Sequence, residues 1–379
     1  MRILHATKKY LNAIGGDARV VSHLEQEQQR RGHEVFILTA NCPEIVRKEN
    51  VFRFGFNDRA ASLDMITFRR ILSLLMLSVT GFFLLHRLKP DIIHTHSPEI
   101  GYIVSLQAAI FRIPVVNTCH GVTFSYEQFS PMKRRVETFF LKYGKFKEIV
   151  TVDRSSLPFF AGRAIKGVRY IPNGVSIEDF ARREPRDSQT SGIRCLFVGR
   201  LEEQKGLKHL IQASKQLSQD IPDYSLTIVG EGSRRDELTR MITEAGLSNR
   251  IRILDRVGLE ELKGWYHSCD VFILPSIWEG MPLTLLEAWA AGLPAIVTSV
   301  GDIPYLCNDR ENALIVRPGD PGGLSDAVHL LARDAQLRDN LGKCGERTVK
   351  GGYSWSSVAD RYLDLYDSAR DHASPPSRG

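Results

Sequence analysis

A chain of 379 residues exceeds the size at which one hydrophobic core stops growing, so two domains are expected. With 43% hydrophobic and 25% charged residues, the composition is that of an ordinary globular protein and excludes disordered and fibrous classes. The net charge of +6 is uneven: residues 1–180 hold 25 Lys and Arg against 16 Asp and Glu, whereas residues 181–379 hold 25 against 28, an asymmetry that bears on partners rather than fold.

Met1 to Thr7 carries no cationic segment followed by a long apolar core, so it reads as a first strand and not as a signal peptide. A loop with Gly15-Gly16 leads into an amphipathic helix over Ala18–Arg31, closed by Gly32, and Glu34–Thr39 forms the next strand. The uncharged run Ile71–Leu85 would extend only ~22 Å as a helix, short of the ~30 Å hydrocarbon layer. It predicts a buried helix, with a helix lying on a membrane surface as the alternative. A strand in Pro90–His96, a helix over Glu99–Phe111 and a strand over Val115–Thr118 follow, then a helix over Lys133–Tyr143 and a strand over Glu148–Val152.

Tyr170–Val175 reads as a hinge, followed by the polar stretch Arg182–Gly192. A second alternation then begins, with strands over Arg194–Val198, Ser225–Val229, Arg252–Leu254, Val271–Leu274 and Ala295–Thr298. Helices over Gly206–Leu217, Arg234–Ala245, Leu259–His267, Pro282–Ala291 and Gly322–Ala332 separate and follow them. A last helix spans Trp355–Ala369, ahead of a tail, Ala373–Gly379, expected to be disordered. The expectation is two doubly wound, Rossmann-like α/β domains, residues 1–172 and 173–352, facing across a cleft, with the helix at 355–370 packing back on the first. Ligands of such sheets sit beyond the carboxyl ends of the strands.

The cysteines Cys42, Cys119, Cys195, Cys269, Cys307 and Cys344 are scattered, so neither a disulfide scaffold nor a zinc site is suggested and a reducing compartment fits. No Gly-x-Gly-x-x-Gly fingerprint or P-loop is present, which removes support for a nicotinamide dehydrogenase or a P-loop NTPase. The chemistry concentrates in Leu274 to Ala288, which leaves a strand, crosses a loop and enters a helix at Pro282, a residue suited to the first helical position. Gly292 ends that helix. Glu279 then lies on the loop and Glu287 in the second helical turn, flanking the amides of Met281, Leu283 and Thr284 at a helix N-terminus suited to phosphate. Carboxylates there suit sugar hydroxyls. The bland alternative, Glu279 solvated and Glu287 exposed, is weakened by the apolar neighbours Leu285, Leu286, Ala288 and Trp289.

That Glu-x7-Glu segment, with its Pro-Ser lead and Ala-x-Ala-Ala-Gly-Leu-Pro exit, resembles the signature of family 4 of the retaining glycosyltransferases, which have the GT-B fold. Further matches follow in order along nearly the whole chain: Gly15-Gly16, Asp91-Ile92-Ile93-His94-Thr95-His96, His120-Gly121, Pro172-Asn173-Gly174-Val175, Gly199-Arg200 with Lys205-Gly206, and Val229-Gly230-Glu231-Gly232. The resemblance implies that Arg200 and Lys205 bind the donor pyrophosphate, replacing a metal ion, where the bland alternative is a solvated cluster with Glu202 and Glu203. It implies that Glu287 binds the ribose hydroxyls, that Glu279 binds the donor sugar, and that the base lies against backbone near Arg256-Val257. Gly16 lets the first loop approach the phosphates, and His120 contacts the donor sugar. His96 and Gly15 are assigned to the acceptor side.

His94 and His96 share a strand face and could ligate a metal, but no carboxylate partner accompanies them, and an acceptor-side role is favoured. A Cys119–His120 nucleophile is discounted because adjacent strand residues point to opposite faces. Pro282 removes one amide where many members have glycine. The loop Lys8–Ile14 matches nothing specific, and the role of Asp153 is undetermined.

The implied reaction is transfer of a hexose-type sugar from a nucleoside diphosphate to a glycan or lipid-linked acceptor hydroxyl, in cell-surface polysaccharide or glycolipid biosynthesis. It needs no cofactor and no metal. A sugar-nucleotide epimerase of the same fold, and a basic module binding membrane or nucleic acid, are the rival readings. No nucleic-acid motif accompanies the basic half, so no nucleic-acid partner is expected. A cytoplasmic protein is expected, with peripheral contact to an anionic membrane through the Lys133–Lys147 cations and the Ile71–Leu85 run behind Arg69 and Arg70. Against that, Val136, Phe139 and Phe140 could simply pack in the core.

Overall fold

The computed structural model describes residues 1–10, 16–41, 48–55, 68–126, 129–181 and 192–371, with backbone alone at 16–17 and 68–71. Gly15, Cys42, the loop residues 11–15, the polar stretch over 182–191 and the tail lie outside the described residues, as do the side chains of Arg69 and Arg70. The chain divides into two units, Met1–Asn173 with Trp355–Gly379, and Gly174–Ser354.

The first unit begins with β1 (Arg2–Thr7), α1 (Gly16–Arg30), β2 (Glu34–Ala40), β3 (Val51–Phe54), α2 (Phe68–Leu88) and β4 (Ile92–Thr95). It continues with α3 (Pro98–Ile110), β5 (Val115–Cys119), α4 (Pro131–Tyr143), β6 (Glu148–Thr151), α5 (Leu157–Ala161) and β7 (Val168–Tyr170). These strands form one parallel sheet in the order β3-β2-β1-β4-β5-β6-β7. Parallel strands covered by helices on both faces are buried, as β4 and β5 are along their whole length, and the polar residues they carry are hydrogen-bonded, His94 with Thr118 and Thr95 with Asn117. Strand β1 lies between β2 and β4, with His5 opposite both Ile37 and His94.

The second unit holds α6 (Ile177–Phe180), β8 (Ile193–Val198), α7 (Leu207–Asp220), β9 (Tyr224–Val229), α8 (Arg235–Glu244), β10 (Ile251–Leu254) and α9 (Leu259–Ser268). Then come β11 (Val271–Leu274), α10 (Leu283–Ala290), β12 (Ala295–Thr298), α11 (Ile303–Leu306), β13 (Leu314–Val316), α12 (Pro321–Arg333) and α13 (Ala335–Lys350). Its sheet is also parallel, in the order β10-β9-β8-β11-β12-β13. Both sheets are Rossmann-like.

The last helix, α14 (Trp355–Asp371), belongs to the first unit. Its buried residues Trp355, Val358, Ala359, Tyr362, Leu365, Tyr366 and Ala369 recur at helical spacing and make one face. Trp355 stacks on His23 of α1 at 4.9 Å, and Arg31 Nε donates to Asp360 at 2.8 Å.

Two expectations need correction. Helix α2 is not simply buried: Leu77, Leu84, Leu85 and Leu88 face the core, but Val79 and Phe83 are 60% and 67% exposed, with Leu75, Met76 and Phe82 also outside. An uncharged run carries no mark of which face points out. Pro282 is not the first helical residue; its ψ of 115° is extended, and α10 starts at Leu283. Among the described residues no helix is long and apolar enough to cross a membrane.

Candidate active site

Each sheet reverses its winding between two neighbouring strands, β1 and β4 in the first unit and β8 and β11 in the second. Ligands of open α/β sheets bind outside the carboxyl ends at such points. In the second unit β8 runs into Gly199-Arg200, and β11 runs into Pro275–Gly280. A short 3-10 turn, Glu203–Lys205, ends at Gly206 with φ 63°, and a Cβ there would lie 2.1 Å from the Pro275 carbonyl oxygen. Only glycine lets the two loops meet.

The consequence is a set of ties between them. The Gln204 carbonyl accepts from Ile277 N–H at 2.8 Å, and Gln204 Nε2 donates to the Trp278 carbonyl at 3.0 Å. The Lys205 ammonium pairs with the Glu279 carboxylate, their side chains only 12% and 6% exposed. Ser276 Oγ donates to Glu279 Oε1 at 2.7 Å, and Thr298 Oγ1 donates to the Ser276 carbonyl at 2.6 Å. From the β12 side, Gly301 (φ 57°) lies so close that a Cβ would come within 2.1 Å of the Glu279 carbonyl oxygen, and Asp302 N–H donates to the Gly280 carbonyl at 3.1 Å. Three loops therefore hold Glu279.

Lys205 leaves the expected cluster for Glu279, whereas the charge of Arg200 helps the Ser233 hydrogen bonds hold the Glu202 carboxyl below its usual range against the effect of burial. Arg200 is exposed and donates to Gln204 Oε1 at 2.9 Å. Glu202 accepts from Ser233, and Glu203 pairs with Lys208 and Arg234. Glu287 is likewise buried, and accepts a hydrogen bond from Tyr266 Oη of α9 at 2.8 Å. The pictures of a solvated Glu279 and an exposed Glu287 both fail. Met281 is buried, while Leu283 and Thr284 are half-buried at the start of α10, where helix geometry leaves first-turn amides without an intrahelical acceptor. Val257 is half-buried on the loop leaving β10, two strands from β8. In the first unit Gly16 opens α1.

The switch point of the first sheet is lined by imidazoles. His5 Nδ1 lies 2.9 Å from His96 Nε2, and His96 Nδ1 lies 3.1 Å from His120 Nε2. His5 Nε2 meets Gln28 Oε1 of α1 at 2.8 Å. His94 meets Thr118 Oγ1 at 2.7 Å and Tyr366 Oη of α14 at 2.6 Å. Burial pushes His5 down to about 4, against the opposing influence of Gln28 and Glu25. His94 and His96 are pushed well below the usual histidine range by burial and by the neighbouring rings. These three rings are neutral at pH 7.

His94 is fully enclosed, and His96 lies beneath His120 with both nitrogens engaged. The sequence reading missed His5, whose nitrogen lies within 4.8 Å of those of His94 and His96, close enough for the three to surround an ion. In this structure their nitrogens are occupied by hydrogen bonds to one another, to Gln28, to Thr118 and to Tyr366, so an ion would have to displace that network. The Cys119 thiol is buried, pushed well above its usual range by burial and Glu137, and contacted by Asn117. A thiolate nucleophile is unavailable there. Asp153 caps the 3-10 turn Arg154–Ser156, accepting from Ser155 N–H at 2.9 Å.

Residues 14–179 match Glycosyltransferase Family 4, and residues 180–348 match Glycosyl transferases group 1. Glycogen synthase of Mycobacterium tuberculosis is 26% identical over 405 residues, covering 98% of this chain and 95% of that protein. The Escherichia coli UDP-Gal:alpha-D-GlcNAc-diphosphoundecaprenol alpha-1,3-galactosyltransferase is 28% identical over 311 residues, 76% of this chain and 78% of that one. The crystal structure of Anabaena HepE in complex with UDP-glucose superposes with a TM-score of 0.80 at 17% identity, covering 97% of this chain and all of that one (100%).

Proposed function

Because the chain belongs to glycosyltransferase family 4 and has the GT-B fold, we propose that it transfers a hexose from a nucleoside diphosphate to a glycan or lipid-linked hydroxyl, with retention and without a metal ion. The observation that carries this reading is the enclosed Lys205–Glu279 pair with Arg200 exposed on the same loop. Donor phosphate competes for Lys205 and recruits Arg200, two fixed cations that stabilise the departing diphosphate. Glu279 keeps its Ser276 bond and accepts from hydroxyls of the sugar. Glu287, steadied by Tyr266, accepts from the ribose, and His120 meets the donor sugar.

The likeness to the galactosyltransferase and to HepE supports a uridine nucleotide as donor. No enzymic nucleophile is needed: the leaving phosphate takes the acceptor proton on the same face as departure. The test is transfer from UDP-hexoses to candidate glycan and lipid-linked acceptors, with the product's anomeric configuration read by NMR. Retention, and rates unchanged by chelator, are expected. Loss of activity with chelator and its return with manganese would overturn metal independence.

The same reading places the acceptor at a membrane, on the cytoplasmic face. Helices α2, α3 and α4 pack side by side and leave Val79, Phe83, Ile110, Met132, Val136 and Phe139 exposed. Val136 and Phe139 thus do not fill the core, and Phe140 is only half-buried. Arg87, Lys89, Arg112, Arg135, Lys142, Lys145 and Lys147 are exposed on these helices or just after them. Apolar and cationic groups together suit an anionic bilayer, where each engaged cation contributes ~1 kcal/mol. Co-sedimentation with phosphatidylglycerol vesicles at low salt, weakened at high salt and by Phe83→Ser, is the expected result. Equal, negligible binding to anionic and neutral vesicles would sink the proposal.

A further inference from the structure

The end of α4, the start of β6 and the loop between α5 and β7 enclose a hollow of about 300 Å³. That is the lower end of the range of small-ligand pockets, about 300–1,000 Å³. Its floor is apolar: Leu141, Ile149 and Ile165 line it and belong to one buried cluster with Phe160. Its rim is cationic, with Lys142, Lys147 and Lys166 all exposed. The carboxylate on the rim, Glu148, is engaged by Arg169, which donates to both its oxygens at 3.1 Å. Lys142 lies in the last turn of α4, where a cation complements the helix's carboxyl end. Lys166 stands on the loop before β7, where no helix end calls for it.

The hollow adjoins the apolar face of α4. Met132, Val136, Phe139 and Tyr143 are exposed, recur at helical spacing and make a stripe along the helix. The stripe ends at Tyr143, between two residues of the hollow, Lys142 and Gly144. Inorganic phosphate gains nothing from an apolar floor or an apolar approach, whereas the carbon attached to a lipid phosphate does. We propose that the hollow is a binding site for the phosphodiester of an anionic phospholipid. Lys142 and Lys166 hold the phosphate, and the glycerol and first acyl methylenes rest on Leu141, Ile149 and Ile165. The choice of a lipid rests on the reading that α4 meets a membrane, and adds a discrete site to the diffuse attraction between cations and an anionic surface.

The experiment is methyl NMR on the full-length protein labelled at isoleucine δ1, with Ile149 and Ile165 assigned by substitution with Val. Monomeric dihexanoylphosphatidylglycerol should shift both methyls saturably, and inorganic phosphate and dihexanoylphosphatidylcholine should bind roughly tenfold or more weakly by comparison. Lys142→Gln with Lys166→Gln should weaken the phosphatidylglycerol roughly tenfold or more, since each removes a charge-assisted hydrogen bond. Lys215→Gln with Arg240→Gln removes the same charge from exposed positions of the second unit and should leave the affinity within about twofold, because salt screens distant charges. No saturable shift, phosphate or phosphatidylcholine binding as tightly as phosphatidylglycerol, or equal losses in the two double variants overturns the site. Co-sedimentation with phosphatidylglycerol vesicles on the same preparation separates the failures. Vesicle binding without saturation by the monomer overturns the site and leaves the membrane reading; saturation by the monomer without vesicle binding overturns the membrane reading and leaves the site.

Discussion

Replacing Lys205 with Met is expected to lower kcat by on the order of 10²–10³ and to lower stability by about 3–5 kcal/mol. The rate effect comes from losing one preorganised cation at the departing diphosphate. The stability effect comes from Glu279, whose charge stays enclosed between Ser276 and the Gly301 loop once its counter-ion is gone. The two effects separate in the double variant. Lys205→Met with Glu279→Gln removes both charges and should regain most of the stability, because a neutral amide in that site no longer demands a cation, while transfer stays low. Denaturant unfolding alongside initial rates for the two single variants and the double variant checks this. A double variant as unstable as Lys205→Met would show that the pair contributes packing rather than charge. Near-normal transfer in Lys205→Met would remove the lysine from the diphosphate site.

The second large effect is a loss of stability of the first unit on mild acidification. Burial holds His5 at about 4, below the 6.5 of an unfolded histidine, and holds His94 and His96 low in the same sense. The unfolded chain therefore takes up protons first as pH falls, and stability present above pH 6.5 is lost on the way down to about 4. For His5 alone the full loss is about 3 kcal/mol, of which about 1 kcal/mol has gone by pH 5.5. Glu137 and Asp153, whose carboxyls burial pushes up, act in the opposite direction, favouring the folded state as pH falls through the carboxylate range. The net change is read between pH 7 and pH 5.5, where any contribution of these carboxyls opposes that of the histidines. Hydrogen exchange of β1, β4 and β5 at the two pH values should show faster global opening at the lower one. Unchanged protection would mean that the cluster opens to water or takes protons without unfolding.

Both predictions depend on contacts that were legible in the sequence to different degrees. The central strands were readable because a parallel strand covered on both faces is a continuous apolar run; Val271–Leu274 and Ala295–Thr298 were placed to the residue. Helix ends were readable where a backbone-specific residue stands, as at Gly292, whose φ is 64° just past α10. β3, β7 and β13 were not foreseen. They are edge strands of three or four residues, partly exposed, and carry too short a pattern to stand out.

The placing of Glu279 on a loop and Glu287 in the second turn of a helix could be read locally, since a strand, a proline and a terminating glycine within twenty residues define it. That Glu279 binds Lys205, 74 residues away, could not. It depends on Gly206 and Pro275 touching, which the sheet order β8-β11 brings about and no local spacing encodes. The same holds for the histidines: His94 and His96 are visible as a pair on one strand face, but His5 joins them only through the β1–β4 register. Gln28 and Tyr366 arrive on helices that pack over the sheet from opposite ends of the chain. Local residue order determined the elements and which polar groups stand at their ends. Tertiary structure alone decided which of those groups share a proton or a charge, because such bonds act only over about 3 Å, a distance set by strand order and helix packing.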